Sequence, residues 1–324
     1  MSQKKETTVL VLALLLTLLL GGVGAWVVKE FLLNPPAETS ISSQTTTVQP
    51  IPKTAQISFG EKTLIPGQVT PVKQAGLDAI ATKKWNVAVT NLQQARKENR
   101  DEPETLIFLN NAEIAEEKSY TVAVSAPLGT DPKGSLEILR GVAQAQNEIN
   151  HSGGINGVRL KVAIANDNNQ EDQANTSTLD KALQVVQVNR KRLKLLGGDD
   201  IYAPITLAVG GDAAKDMVTA VPWDIDTLPQ TEFVRESKQL WGAEVNWRTA
   251  LSYDATRAFI AAIQSSPTRS GIQQTLSSPN FSITGAAGAV QFLRSRDRNA
   301  PVELVKIVPH VNTSTGYDFV PVRQ

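Results

Sequence analysis

Hydrophobic positions change their period several times along the chain, and each change predicts a different element. The first is an uncharged run from Thr7 to Val28, dominated by Leu and Val. At about 1.5 Å per residue it reaches across the roughly 30 Å hydrocarbon core of a bilayer. Lys4 and Lys5 precede the run, and after Lys29 the next positive charge is Lys53. The positive-inside bias therefore predicts residues 1–6 in the cytoplasm, a membrane anchor over 7–28 and the bulk of the chain facing the periplasm or extracytoplasmic space. A cleaved signal peptide is the alternative, with Gly22, Gly24 and Ala25 as the small residues of a processing site. Residues 29–56 hold Pro35, Pro36, Pro50 and Pro52 in a Ser/Thr-rich series, too little apolar surface to offset ordering entropy, and predict a linker.

Helical spacing follows. Gly76, Ala79, Ala88, Leu92 and Ala95 recur with Trp85 between them, a pattern of two helices crossing at small residues that resembles a tetratricopeptide hairpin. Asp101-Glu102-Pro103-Glu104 reads as the start of a third helix, carried on by Leu106, Ile107, Leu109 and Ala112. Solenoids need about three repeats to bury a continuous core. Residues 57–118 are therefore expected to form a small helical cap on their neighbour rather than a partner-binding array.

From residue 119 the period shifts to two. Tyr120–Ser125 predicts a strand, Ala126-Pro127-Leu128-Gly129 breaks it, and Leu136, Leu139, Val142, Ala143 and Ile149 mark a helix over 135–150. Gly153-Gly154 caps that helix, Asn156-Gly157 supplies a tight turn, and Val158, Leu160, Val162 and Ile164 alternate into a second strand. This is a right-handed, parallel βαβ unit, whose ligands belong at the carboxyl ends of the strands. Further on, Leu193–Leu196 predicts a buried strand, and Leu251, Ala255, Ala258, Phe259 and Ala262 predict a helix face packed on a sheet.

Composition narrows the chemistry. Lys+Arg and Asp+Glu are balanced at 32 each, so no overall charge draws the protein to nucleic acid. There is no cysteine and there are only two histidines, His151 and His310, which excludes disulfides, thiol nucleophiles and Cys- or His-rich metal sites. No nucleophile elbow, phosphate loop or metal-ligand cluster is visible, since Gly197-Gly198-Asp199-Asp200 and Gly210-Gly211-Asp212 lack the required spacing. No enzyme and no cofactor is expected.

The string from Ser125 to Asn169, with Pro127-Leu128-Gly129, Arg140-Gly141 and Ile149-Asn150 leading into Gly153-Gly154-Ile155-Asn156-Gly157, resembles the Leu/Ile/Val-binding-protein-like receptors of ABC transporters. Later segments resemble them too, in the same order: Leu195-Leu196-Gly197-Gly198-Asp199-Asp200, Ala220-Val221-Pro222-Trp223, Tyr253-Asp254-Ala255 and Gln291-Phe292. The resemblance spans 119–324 and implies an α/β fold of the type 1 periplasmic-binding kind, built on a parallel-centred sheet. It implies a receptor for amino acids or related zwitterions that works with ABC permease subunits by closing two lobes on its ligand. In the family a long stretch separates the strand near Asp167 from the Leu-Gly-Gly strand. Here Gln173-Ala174 stands four residues from Leu179, which implies an internal deletion near 174–179, an incomplete second lobe and the loss of the loops that hold a ligand's α-carboxylate. The alternative is a membrane-anchored scaffold or sensor built on a degenerate domain.

By that resemblance Asp199 receives a ligand ammonium, its other reading being an acidic turn after Gly197-Gly198. Tyr202 closes over the ligand or packs as an ordinary half-buried aromatic, and Leu128 and Gly129 offer backbone NH groups or simply turn the chain. Arg248 holds a carboxylate, or pairs with Glu244 one helical turn away. Trp247 and Tyr253 are expected in the core, and His151 as a cation at a helix C-terminus.

Overall fold

The computed structural model describes residues 56–322 apart from 68, 130, 167–174, 228–230 and 287. The expected anchor at 7–28, all but the last residue of the linker, and the Gln173-Ala174 side of the expected junction lie outside the described residues. Among those described, no helix is long and apolar enough to cross a membrane.

After the short strand β1 (Gln56–Ser58) come three helices: α1 (Pro71–Ala81), α2 (Trp85–Glu98) and α3 (Pro103–Ile114). Their starts follow local chemistry. Thr70 caps α1 by accepting from the Lys73 NH, and Glu102 caps α3 by accepting from the Thr105 NH at 3.0 Å, with Pro71 and Pro103 inside the first turns. The spacing of Gly76 against Leu92 explains the hairpin: a methyl group at Gly76 would sit 2.8 Å from the Leu92 Cγ. α3 is buried on every side. It has no polar face because it lies between the hairpin and the first sheet, with Leu106, Ile107, Phe108 and Ile114 almost wholly enclosed.

The βαβ unit follows as β2 (Ser119–Ala126), α4 (Pro132–His151) and β3 (Arg159–Asn166). β2 and β3 pair in parallel from Ser119–Arg159 to Ala126–Asn166, and β1 adds antiparallel to the far end of β3. Between α4 and β3, Asn156 (φ 51°) and Gly157 (φ 81°) form the tight turn closed by Ile155 and Val158. Gly154 (φ 80°) lies so close to the Val158 carbonyl that a Cβ would be 2.6 Å from its oxygen.

The remaining edge of β3 is finished by side-chain amides. Asn111 of α3 accepts from the Val162 NH at 3.0 Å and donates to the Val162 carbonyl at 2.8 Å, while Asn150 of α4 accepts from the Leu160 NH at 2.7 Å and donates to its carbonyl at 2.9 Å. Each amide presents one donor and one acceptor in the place of a neighbouring strand.

The chain continues through α5 (Asn175–Asn189), β4 (Leu196–Gly197), a 3-10 turn at Asp199–Ile201, α6 (Pro204–Ala214), β5 (Val218–Val221), α7 (Glu232–Trp241), α8 (Trp247–Ser265), α9 (Arg269–Leu276), the hairpin β6 (Ile283–Gly285) and β7 (Gly288–Val290), and finally β8 (Glu303–Pro309) and β9 (Tyr317–Pro321). The second sheet runs β4-β5-β8-β9. Only β4 and β5 are parallel, and the other two pairings are antiparallel. The expectation of a parallel-centred sheet therefore holds for β2 with β3 and for β4 with β5, and is corrected for the rest. The reason is connectivity: β8 returns to β9 through the short loop 310–316, which has no room for the crossover a parallel pair demands.

Among the described residues two hydrophobic clusters result. The first joins α1–α3, the β2-α4-β3 unit, Trp223, α7 and α8. The second is smaller and is formed by Val186, Leu207, Ala214, Met217, Val221, Val305, Ile307 and Phe319. Two expectations are corrected here. Leu193 and Leu196 are not in a buried strand but stand 73% and 75% exposed, because β4 is a two-residue edge strand. On α8, Ala255 and Phe259 face outward and the buried face is Ala250, Tyr253, Asp254, Ala258 and Ile263.

Candidate functional site

The carboxyl ends of β4 and β5 bring together acidic side chains. Gly198, just past β4, is extended, and the chain tightens at once into the 3-10 turn holding Asp199 and Asp200, with Tyr202 directly behind. Past β5, Pro222 and Trp223 lead to Asp224 and Asp226. The Tyr202 hydroxyl donates to Asp224 Oδ2 at 2.6 Å, and Asp224 Oδ1 accepts from the Asp226 NH at 3.0 Å. The Tyr202 ring meets Phe319 edge-on with centroids 4.7 Å apart.

The electrostatics of this cluster are one-sided. Burial, followed by the fields of Asp224, Asp318 and Glu244, raises the Asp226 carboxyl above its ordinary range. Burial and the hydrogen bond to Asp224 push the Tyr202 hydroxyl far up, so it stays a donor across the whole physiological range. A cavity of about 280 Å³ opens beside Asp226 and Glu244, bordered by Val234, Arg235 and Lys238. Among the described residues no group of His, Asp and Glu is arranged to hold a metal ion.

The five expected site residues divide. Asp199 is half-buried, and its carboxylate has no hydrogen bond or ion pair among the described residues. Gly129 is exposed. Leu128 is wholly buried in the first cluster and its NH donates to the Ala126 carbonyl at 2.9 Å, so that NH is not open to a ligand. Tyr202 is bonded and packed as described. Arg248, at the start of α8, pairs with Asp200 at 3.5 Å and lies over the Trp247 ring at 4.2 Å. Its expected partner Glu244 is replaced by Asp200, because Asn246 caps α8 and places Glu244 outside the helix, where the one-turn spacing no longer applies.

Other readings resolve likewise. Tyr253 is buried, with its hydroxyl donating to Glu148 at 2.6 Å, and Trp247 packs partly buried against the first cluster. His151 ends α4, its Nδ1 2.8 Å from the Asn147 carbonyl. Asp200, Asp224 and Asp226 were not singled out by sequence reasoning. Pro222-Trp223 closing a strand was the available clue, since the residues just after a strand's carboxyl end are where an α/β sheet gathers its polar groups.

Comparison with known proteins places this part of the chain. The family model for periplasmic binding proteins matches residues 172–309, less than half of the chain, and that segment has a periplasmic-binding-protein-like α/β fold. The match includes Asp199, Tyr202, Asp224 and Arg248 and leaves out Leu128 and Gly129. No curated protein matches the sequence. Similar solved structures include an ABC transporter substrate-binding protein from Desulfitobacterium hafniense in complex with Leu, 12% identical, with 63% of this chain and 100% of that chain covered and a TM-score of 0.41. A leucine-binding protein from Thermotoga maritima is 16% identical over 78% of this chain and 95% of that one, with a TM-score of 0.34. A solute-binding protein of an ABC transporter from R. palustris, in complex with benzoate, is 11% identical over 78% and 93%, also at 0.34.

Proposed function

We propose that this protein is an extracytoplasmic solute-binding component of an ABC-type importer for amino acids or related small polar solutes, held at the membrane by residues 7–28. It is not an enzyme. The observation that carries the reading is the periplasmic-binding-protein match over 172–309, which contains the acidic strand ends. In it the half-buried Asp199 carboxylate has no partner among the described residues, a fitting acceptor for a ligand ammonium. Gly129, exposed after β2, would offer backbone groups, and closure would be a population shift driven by contacts made only in the closed state. Leucine and benzoate, the ligands of the similar structures, are reasonable first probes.

Affinity in this reading is low. Tyr202 and Arg248 are already engaged by Asp224 and Asp200, and each charge-assisted hydrogen bond not made to a ligand forgoes about 1.5–3 kcal/mol. The same engagement favours a second reading, a membrane-anchored scaffold or sensor in which the helices at 71–114 bind a partner. Titration followed by residue-resolved NMR separates the two. The receptor reading expects saturable perturbation of residues around Asp199 at millimolar leucine, abolished by Asp199→Ala, with a thermal shift below about 2 °C. No saturable perturbation there with leucine, valine, alanine, glutamate, urea or benzoate leaves the scaffold reading. Protease shaving of spheroplasts tests the anchor, and a full-length chain recovered in the cytoplasm would rule it out.

A further inference from the structure

A second cavity, of about 430 Å³, opens where the end of α2 meets the second half of α4 and α7, and Glu236, Gln239 and Leu240 of α7 line it. Its walls carry opposite charge. On one side stand Arg96, in the last turn of α2, and Arg100, just beyond it. Arg96 is fixed through its guanidinium, one terminal nitrogen donating to the Arg100 carbonyl and the other to Leu240, whereas Arg100 is held through Nε alone. Arg96 donates to the Leu240 carbonyl at 3.3 Å and lies over the Trp241 ring at 5.2 Å, and Arg100 Nε donates to the same carbonyl at 3.0 Å. Neither terminal nitrogen of Arg100 has an acceptor among the described residues. Burial lowers the Arg96 pKa to about 10, which still leaves it charged at neutral pH.

The facing wall is acidic. Glu148 on α4 accepts from Gln144 at 3.0 Å, from the Tyr253 hydroxyl at 2.6 Å and from Arg257 at 3.3 Å. Beside it Glu236 on α7 has no cation in ion-pair contact among the described residues. Burial and then the neighbouring Glu148 raise its carboxyl above the ordinary range, the mark of two acids crowded together. Among the described residues no ion pair closes between the basic and the acidic wall: Glu148 pairs with Arg257 at 3.3 Å, while Glu236 and the terminal nitrogens of Arg100 have no ion-pair partner. A molecule carrying both charges would complete both walls at once.

We propose that this cavity binds a small zwitterion of the amino-acid class, its carboxylate on the Arg96 and Arg100 guanidinium groups and its ammonium between Glu148 and Glu236. The planar guanidinium fork suits a carboxylate in two-point contact, and the volume falls within the about 300–1,000 Å³ of small-molecule pockets. Leu240 supplies an apolar patch for a side chain. The site joins the helical region to the α/β part and does not depend on the Asp199 reading.

The test is made in an Asp199→Ala background, with leucine as probe. Leucine methyl ester keeps only the ammonium, and 4-methylpentanoate keeps only the carboxylate. Saturable leucine binding should persist in this background, weaken about tenfold or more for either analogue, and weaken likewise when Glu236→Gln or Arg100→Gln is added. Both side chains reach solvent, so these variants should fold, and circular dichroism checks that they do. Leucine binding by the parent chain that vanishes in Asp199→Ala would overturn this proposal and leave the strand-end site standing. Binding unchanged by Asp199→Ala and lost with Glu236→Gln would do the reverse. Equal affinity for the three probes, or no leucine binding by either chain, would also overturn it.

Discussion

Single amides and hydroxyls decide much of how this protein holds together. Asn111 is 4% exposed and serves the Phe59 carbonyl at 2.9 Å as well as both backbone groups of Val162. Asn111→Ala strands those groups in the interior, and at about 1–3 kcal/mol for each unsatisfied buried group the cost should be about 3 kcal/mol, read as a lower urea midpoint with an unchanged slope. Tyr202→Phe removes the donor from Asp224, which is 1% exposed. It should destabilise by about 1–3 kcal/mol. If ligand closure used that hydroxyl instead, the variant would keep its stability and lose affinity. Neither residue's partner was legible in the sequence. Asn150 drew notice through a family resemblance and Asn111 drew none, because an amide's target depends on which strand lies beside it.

Helices were the more readable elements, and the reasons are local. Acidic and proline residues at the start of α3, Gly-Gly and Asn-Gly around the end of α4, and the hairpin glycine are all short-range chemistry. Arg140-Gly141 gains a physical meaning from the packing of α4 on α8. A Cβ on Gly141 would lie 2.2 Å from the Thr249 carbonyl oxygen and 2.1 Å from the Ser252 hydroxyl. Gly141→Ala must push the two helices apart, with an expected loss of about 1–3 kcal/mol despite the better helix propensity of alanine. Thermal unfolding of the single variant checks this, and an increase in midpoint would contradict it. Strands were less readable. The apolar run at Leu193–Leu196 looks buried when only hydrophobicity is counted, yet whether a strand is central or at an edge is settled by strands distant in sequence. The rotation of α8 was missed for the same reason: its Ala-rich pattern fits more than one face.

At the scale of the whole molecule, four carboxyl groups among the described residues are raised in the folded state. Burial comes first for each: Glu137, opposed by Arg140; Asp226, among other acids; Glu236, beside Glu148; and Asp254, opposed by the Ala286 NH and Arg298. A raised carboxyl holds its proton more tightly folded than unfolded. Its stabilising contribution is complete below the ordinary carboxylate range near about 4 and is lost as pH rises through the folded value. The thermal midpoint should therefore climb on mild acidification from neutral pH. Glu116 and Asp212 are lowered by Lys83 and Lys191 and act in the opposite sense, but both are fully exposed and solvent screens them. A midpoint that falls steadily between neutral pH and about 5 would contradict the balance drawn here.

The two hydrophobic clusters overlap along the chain. The first draws its members from Leu64 to Ala286, while the second begins at Val186 inside that span and ends at Phe319 outside it. During synthesis the ribosome therefore releases the last residue of the first cluster before it releases β8 and β9. The larger core can close while the smaller still lacks Val305, Ile307 and Phe319. Until those strands arrive, β5 offers its unpaired edge and Met217 and Val221 their apolar surface to whatever is nearby. The growing chain is thus most in need of protection from a chaperone between the release of Ala286 and the arrival of β9.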